Sequence, residues 1–454
     1  MVLLQEQLDK IVKATVKAIL ADTMQHVSKR DSFTDIVIST KKNINELGRQ
    51  VLSRVIEEVE RQFDAARNRH KIIVRNKNKT RHLITEFGDI EVKHTLYFDK
   101  DAGRYFFAID ELLRLEKYSR IEESMQAKLI SDATITSYGK AASLSNNAVS
   151  RQSVYNIAKK IKTVEAPQQK TNWNAPNIYI EADEDHIHLK NGKPGEVRLV
   201  YVHEGTDCSS GRAELINPRY FTSTSSDCNE IWDRVGDYLM SAYRAYKAKV
   251  LLTGDGANWI KAGLYMLPNM IYNLDKFHLS KALITLSRGD KNLLSGIRRV
   301  VYDGDRQAFD EICMIITQRK MKDVAERRAV SDSMCYISSN FDAISAQSRC
   351  SAEGHVSHIL SARMSSRPMA WTREGAGKIA SLRAYLYNKG DFLTLIREGK
   401  KRQQVAVRSR GYNSAVDMFD GVKGKSKQQP YSIPGIEHIS GALAIEIKYI
   451  LKNL

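Results

Sequence analysis

Ile178-Tyr179-Ile180-Glu181-Ala182-Asp183-Glu184-Asp185-His186 is the stretch on which the fold turns. It begins as an apolar β-type run and ends in carboxylates, against a basic background. Alternate residues of a strand share a face, so Glu181, Asp183 and Asp185 point together. Carboxylates crowded on one side of a strand are costly unless cations or basic groups answer them. A solvated acidic loop is the plain alternative. A second run, Leu251-Leu252-Thr253-Gly254-Asp255-Gly256, again delivers an Asp at a strand end. Its flanking glycines let backbone approach a phosphate closely, although Gly-Asp-Gly is also a common tight turn. A third island, Ser351-Ala352-Glu353-Gly354-His355-Val356-Ser357-His358, places a Glu where a helical pattern begins. Two Asp from strand ends and one Glu from a distant helix are what a two-metal phosphoryl-transfer site needs. Mg²⁺ takes hard oxygen ligands and keeps positions open for substrate phosphate.

The surroundings of these islands predict an α/β core. Strands are expected at 177–183, 196–203 and 213–221, a helix at 229–248, and further strands at 249–253 and 270–274. The helix carries Ile231, Val235, Leu239 and Tyr243 at spacing four. Three strands, then helix, strand, helix, strand is the order of a ribonuclease-H-like fold, which holds one Asp in strand one and another just after strand four. Asp275-Lys276-Phe277-His278 follows the fifth strand. A lone His there is more often structural than a ligand. From 282 to about 345 the pattern is helical and basic, with Arg298-Arg299, Arg319-Lys320, Lys322, Arg327 and Arg328. His355 and His358 fall at i,i+3 without the spacing partners of a zinc site. Arg363 and Arg367 are spaced to share one helix face and grip a phosphate backbone.

Toward the N-terminus, Leu4, Leu8, Val12 and Val16, and then Ile44, Leu47, Val51 and Val55, recur at helical spacing. From 81 to 109 the period changes to two, as in a small antiparallel sheet. Residues 134–162 read as a helix-turn-helix: a first helix at 136–144, a turn at Ser145-Asn146-Asn147, and a second helix capped by Ser150. Arg151, Gln152, Ser153 and Asn156 are the right side chains for base edges and phosphates, and an ordinary helical hairpin is the alternative. Pro167, Gln168, Gln169 and Pro176 mark a linker. The expected division is a helical arm at 1–80, a sheet plus helix-turn-helix at 81–165, core segments at 166–281 and 346–400 around an all-α insertion at 282–345, and a basic tail at 401–454.

The 454 residues allow two to four domains, and a 42% hydrophobic content supports a real core. Lys and Arg number 70 against 53 Asp and Glu, a formal charge of +17, which points to a polyanionic partner. Five cysteines, an odd number without a C-x-x-C pair, indicate neither a disulfide framework nor a zinc ribbon. The start of the chain is charged too early for a signal peptide, and no apolar run approaches a membrane span. A cytoplasmic, nucleoid-associated protein is expected, with no membrane partner.

Three strings, GDGANWIKAG, LDKFHLSKAL and SAEGHVSHILSARMSSRPMAW, carry a resemblance. With the spacing Asp183, Asp255, Glu353 and the Asp275-x-x-His278 pair between the last two, the chain resembles DDE transposases of the Mutator-related superfamily. Within them it looks like the bacterial ISLre and TnGBS-type insertion-sequence transposases, from about Phe87 through Arg383. The resemblance implies a ribonuclease-H-like core with an all-α insertion before the Glu, and an N-terminal DNA-binding region. It implies two Mg²⁺ ions, with Mn²⁺ able to substitute, on Asp183, Asp255 and Glu353, and a supporting role for Asp275 and His278. Its partners would be double-stranded DNA, as element ends and target, and further copies of the chain in a homodimer or higher assembly. The rival expectations are a metal-dependent nuclease on the same fold and a non-catalytic DNA-binding regulator.

Overall fold

The structure is a computed structural model, and it describes residues 2–399 apart from 117, 147, 163–164, 168–169, 210, 212, 319–322 and 345–350. The basic tail 401–454, Arg319-Lys320, Lys322, Asn147, Gln168 and Gln169 lie outside the described residues. The contacts divide the chain into two compact units, one containing 1–122 and the other 123–403.

In the first unit, α1 (Val2–Ser28) and α2 (Phe33–Ala66) pack against each other. Ser32 caps α2 in a reciprocal capping box with Asp35, which fixes where the chain turns back into helix. Strands β1 (Ile72–Thr85), β2 (Gly88–Asp99) and β3 (Arg104–Phe107) form an antiparallel sheet in that order, followed by α3 (Ala108–Leu112). Phe63 of α2 packs with Ile72, Tyr97 and Phe106 of the sheet, and Ile56 with Leu83, Ile90 and Val92. The sheet begins nine residues before the expected 81. Arg75 to Thr80 are all exposed on an edge strand with register shifts, so no apolar alternation announces them.

The second unit opens with α4 (Glu123–Ile135), α5 (Tyr138–Leu144) and α6 (Arg151–Lys160). Ser137 and Ser150 cap α5 and α6. The helix-turn-helix pair therefore falls in the unit of the large sheet, not with the small sheet. That large sheet is built from β4 (Asn177–His188), β5 (Pro194–His203), β8 (Arg219–Ser223), β9 (Lys249–Gly254) and β10 (Met270–Leu274). Its strand order is β10-β9-β4-β5-β8; β9 and β10 run parallel to β4, and β5 runs antiparallel to both its neighbours. A short ribbon, β6 (Thr206–Asp207) with β7 (Glu214–Leu215), interrupts the expected third strand.

Helices cover both faces. On one, Ile178, Ile180, Ala182, Val200 and Val202 meet Ile231, Trp232, Val235 and Leu239 of α7 (Asn229–Ala242) and Ile260 of α8 (Asn258–Lys261). On the other, Ile187, Leu189, Val197, Leu199 and Tyr201 meet α13 (Ala352–Val356), a π-helical turn at Ser357–Ser361, α14 (Ala362–Met364) and α15 (Arg373–Tyr387). Even and odd positions of β4 thus face different cores, as strand geometry requires. Between β10 and α13, helices α9 (Lys276–Ser287), α10 (Lys291–Asp303), α11 (Arg306–Gln318) and α12 (Val324–Ser339) share an apolar core of their own, including Leu283, Ile297, Phe309 and Ile337. Edge strand β8 is closed by side chains. Asn388 accepts from the Tyr220 N–H and donates to its carbonyl, both at 2.8 Å, and Arg234 donates to the Thr222 carbonyl at 3.0 Å.

Candidate active site

Strand register alone lines up three aspartates. Glu181 on β4 pairs with Thr253 on β9, and Gly254 on β9 pairs with Leu274 on β10. Asp183, Asp255 and Asp275 therefore fall at one level across three adjacent parallel strands. The Asp275 N–H donates to the Gly254 carbonyl at 2.8 Å, which holds the ends of β9 and β10 together. After Asp255 the chain turns through Gly256 at φ 99°, and a Cβ there would stand 2.8 Å from the Asn340 side chain. Asp255 itself accepts the Ala257 N–H at 2.9 Å.

The three β4 carboxylates share a face, but their surroundings differ. Glu181 is buried and takes hydrogen bonds from Tyr201, His203 and Ser351. Asp185 takes the hydroxyls of Ser361 and Ser365. Asp183 accepts only the neighbouring Glu184 N–H, at 2.8 Å, among the described residues. Burial pushes its carboxyl up to about 6, and the charges of Asp255 and Glu184 add to that against the pull of the Glu184 N–H and His278. On the other side of β4, Glu184 accepts the Trp259 indole N–H.

Asp275 caps α9 by accepting the Phe277 N–H at 3.1 Å, and it meets His278 Nδ1 at 2.7 Å. Burial opposes ionisation of Asp275, but its hydrogen bonds from His278 and Phe277 outweigh that and hold it below the usual carboxylate range. The bond to Asp275 holds His278 above its usual value; burial opposes this, and the charges of Asp275, Asp183 and Asp255 reinforce it. The His278 ring thus stands against Asp275, in the field of Asp183 and Asp255.

Glu353 lies exposed on α13, and among the described residues no three acidic, His or Cys side chains stand close enough together to share a metal ion. The site's donor set still fits a divalent cation. Its carboxylates are hard oxygen ligands, and the crowding of Asp183 by Asp255 is the charge that a cation would answer.

The other expected residues are dispersed. Arg151, Gln152 and Asn156 are exposed on α6, with Ser153 half-buried, and Gln152 donates to Asn156 at 2.9 Å. Ser150 is occupied as N-cap, accepting the Ser153 N–H at 3.1 Å. Arg298 and Arg299 are exposed on α10. The phosphate-gripping pair Arg363 and Arg367 is corrected. Arg363 is 5% exposed, donates to the Ala133 carbonyl at 3.0 Å and lies over the Trp371 ring at 5.0 Å. Burial lowers it to about 10. Arg367 is exposed beyond the end of α14, so the two share no helix face. His355 packs on Tyr201 and Tyr220, and His358 is exposed. Missed by the sequence reading was a cation–aromatic surface on the first unit's sheet. Arg75 lies 5.1 Å from the Phe98 ring, which packs 4.8 Å from Tyr105, itself 60% exposed. The isolated basic letters of β1 gave no period to signal it.

Residues 27–403 match the model of a family described as Uncharacterised protein family (UPF0236). A UPF0236 protein of Caldanaerobacter subterraneus subsp. tengcongensis is 33% identical over 390 residues, covering 83% of each chain. Another from that organism, 34% identical over 385 residues (82% of this chain, 81% of its own), bears a name joining eleven designations. A protein of Streptococcus gallolyticus, named as a UPF0236 protein in the vanSb 3′ region, is 24% identical over 281 residues, covering 59% of this chain and 62% of its own. Among solved structures, a chain of the simian T-cell lymphotropic virus intasome in complex with PP2A regulatory subunit B56 gamma aligns over 47% of this chain and 68% of its own. Its TM-score is 0.15 at 13% identity, too slight a likeness to bear on the fold. Among the described residues, no helix is long and apolar enough to cross a membrane.

Proposed function

We propose that this chain, which belongs to the UPF0236 family, is a DDE-type DNA transposase with a ribonuclease-H-like core. The observation that carries the reading is the row of Asp183, Asp255 and Asp275 across β4, β9 and β10, with His278 among them. A buried carboxylate with no side-chain hydrogen bond among the described residues, in the field of a second carboxylate, is a poor structural device and a good cation ligand. The strand order β10-β9-β4-β5-β8, with β5 alone reversed, supports the core assignment.

Asp183 and Asp255 would hold Mg²⁺, with Glu353 the third ligand from α13. A metal bound there supplies the charge that activates an attacking water or 3′-hydroxyl and stabilises the leaving oxygen. Asp275 would fix the ring of His278, and their bond favours the ring's protonated form, whose charge Asp183 and Asp255 reinforce. Exposed Arg151, Gln152 and Asn156 at the start of α6 would read the element end. Arg298, Arg299 and the Arg75–Phe98–Tyr105 surface would contact DNA without regard to sequence. Eleven designations under one relative's name fit a gene dispersed in many copies, the pattern of an element that moves.

The test is incubation of the full chain with Mg²⁺ and DNA carrying the ends that flank its gene. Joining of a 3′-hydroxyl end to a second duplex is expected. Hydrolysis without joining would point to a nuclease, and DNA binding without any cleavage would point to a regulator.

A further inference from the structure

Three carboxylates share one face of β4, and the outer two are answered by the helical run that carries Glu353. Glu181 Oε2 accepts the Ser351 N–H at 2.6 Å and the Tyr201 hydroxyl at 2.5 Å, while Oε1 meets His203 Nε2 at 3.1 Å. His203 is buried too, and its Nδ1 meets the Gly205 carbonyl at 3.0 Å. Ser351 occupies the N-cap position of α13, yet its hydroxyl makes no cap bond. It lies instead 3.3 Å from Glu181 and 2.9 Å from the Tyr201 hydroxyl. Four residues along β4, Asp185 Oδ1 accepts the hydroxyls of Ser361 at 2.9 Å and Ser365 at 2.8 Å.

The two spans match. Four residues of strand rise roughly 13 Å, and the ten residues from Ser351 to Ser361 would rise roughly 15 Å as α-helix, a span that the wider, shorter π-helical turn at Ser357–Ser361 brings closer to the strand's. Strand and helix can therefore be tied at both ends without bending either. Asp183 lies between the ties and takes part in neither.

The helix also has a defined rotation. Residues two apart on a helix differ by about 200° around its axis. His355 lies against Tyr201 of β5 and Tyr220 of β8. Glu353 therefore projects from the opposite flank. On that side of β4 the neighbouring strand is β9, which leads into Asp255.

We propose that Glu181 and Asp185 are positioning residues, a two-point clamp that holds the helix of Glu353 along β4 so that Glu353 can share a cation with Asp183 and Asp255. This rests on the metal-site reading above. It also explains why one strand carries three acidic residues where a ligand set needs one: the outer two hold the third ligand's helix.

The experiment uses the full chain, with Mn²⁺ binding followed by electron paramagnetic resonance, hydrogen exchange of the metal-free protein followed by mass spectrometry, and a thermal melt. Wild type should bind Mn²⁺ and Asp183→Asn should not. Glu181→Gln should weaken Mn²⁺ binding by about 10-fold or more, the scale of groups that orient a metal ligand. It should also speed exchange over residues 351–356 while the melt stays cooperative. Glu353→Gln should weaken Mn²⁺ binding as well, and the Glu181→Gln, Glu353→Gln double variant should be no worse than Glu353→Gln alone, because the clamp acts through that side chain. Ser361→Ala with Ser365→Ala removes the donors at the other tie without touching β4. It should weaken Mn²⁺ binding too, and it serves if Glu181→Gln fails to fold. Wild-type binding and exchange in the Glu181 and serine variants, while Glu353→Gln loses the metal, would overturn the clamp. So would additive losses in the Glu181, Glu353 double variant. If wild type binds no Mn²⁺, or Asp183→Asn binds it normally, the metal-site reading falls and the clamp's purpose with it. The exchange result, which needs no metal, tells that failure from failure of the clamp.

Discussion

At Asp183 a carboxyl that titrates near 6 in the fold must ionise at neutral pH against its burial. Its unfolded value is near 3.8, so between those values the folded state binds more protons. The metal-free protein therefore loses stability as pH rises through about 6. Asp183→Asn removes that penalty. It should raise the melting temperature in chelator at pH 7.5, with no advantage left below about pH 4, and abolish Mg²⁺-dependent cleavage. The gap between 3.8 and about 6, at 1.36 kcal/mol per pH unit, bounds the gain at about 3 kcal/mol. His278→Ala should slow single-turnover cleavage by about 10–100-fold; a normal rate with a large drop in melting temperature would reduce the pair to a helix cap. Arg363→Ala should cost roughly 2–4 kcal/mol of stability, from a lost buried side chain and an unpaired Ala133 carbonyl. The protein that remains folded should keep its DNA affinity, as filter binding at a temperature below the melt would show. Asp183 was readable as a candidate because strand alternation needs only local sequence. The work of Glu181 and Asp185 was not, since their partners Ser351, Ser361 and Ser365 lie 170 to 180 residues away. Arg363 misled because the spacing to Arg367 presumes a helix that continues, whereas α14 stops at Met364.

Among the elements, α6 and α10 would, on the transposase reading, touch DNA in two different ways. Arg151→Ala and Gln152→Ala should each weaken binding to the element end by about 1–3 kcal/mol, and relax discrimination against random duplex, if they meet base edges. Arg298→Ala with Arg299→Ala should weaken all duplexes alike and flatten the salt dependence. Competition binding at several salt concentrations distinguishes the two patterns, and an unchanged preference in Arg151→Ala would remove α6 as the reader. The elements themselves were largely foreseeable where apolar residues keep a period: β9 and β10 fall close to their expected places, and α7 begins where expected but stops at Ala242, short of 248. The ends were less so. β4 runs on to His188, past the point where its apolar run gives way to carboxylates, because the helical run from Ser351 to Ser365 supplies serines and a packing surface that make acidic residues tolerable inside a sheet. The third expected strand broke into β7 and β8 around Asn217 (φ 51°) and Pro218, residues that favour a turn over a continuous ladder.

For the molecule as a whole, the chain passes from one compact unit to the other between Glu122 and Glu123, and each has an apolar core of its own. Residues 1–122 and 123–403, expressed separately, should each unfold cooperatively in denaturant; a non-cooperative melt of 123–403 would show that its core depends on the other segment. Composition could not place this boundary, because the linker-like prolines at 167 and 176 fall inside the second unit. The closed edge of β8 bears on how copies gather. A transposase reading requires several copies at high local concentration on one stretch of DNA. An open edge would then serve as a template for strand addition between copies. With Asn388 mimicking a neighbouring strand at Tyr220 and Arg234 on the Thr222 carbonyl, that template is missing on this side. On that reading, copies crowded on DNA would meet at this side through helices and loops, and not by stitching their sheets into a fibril.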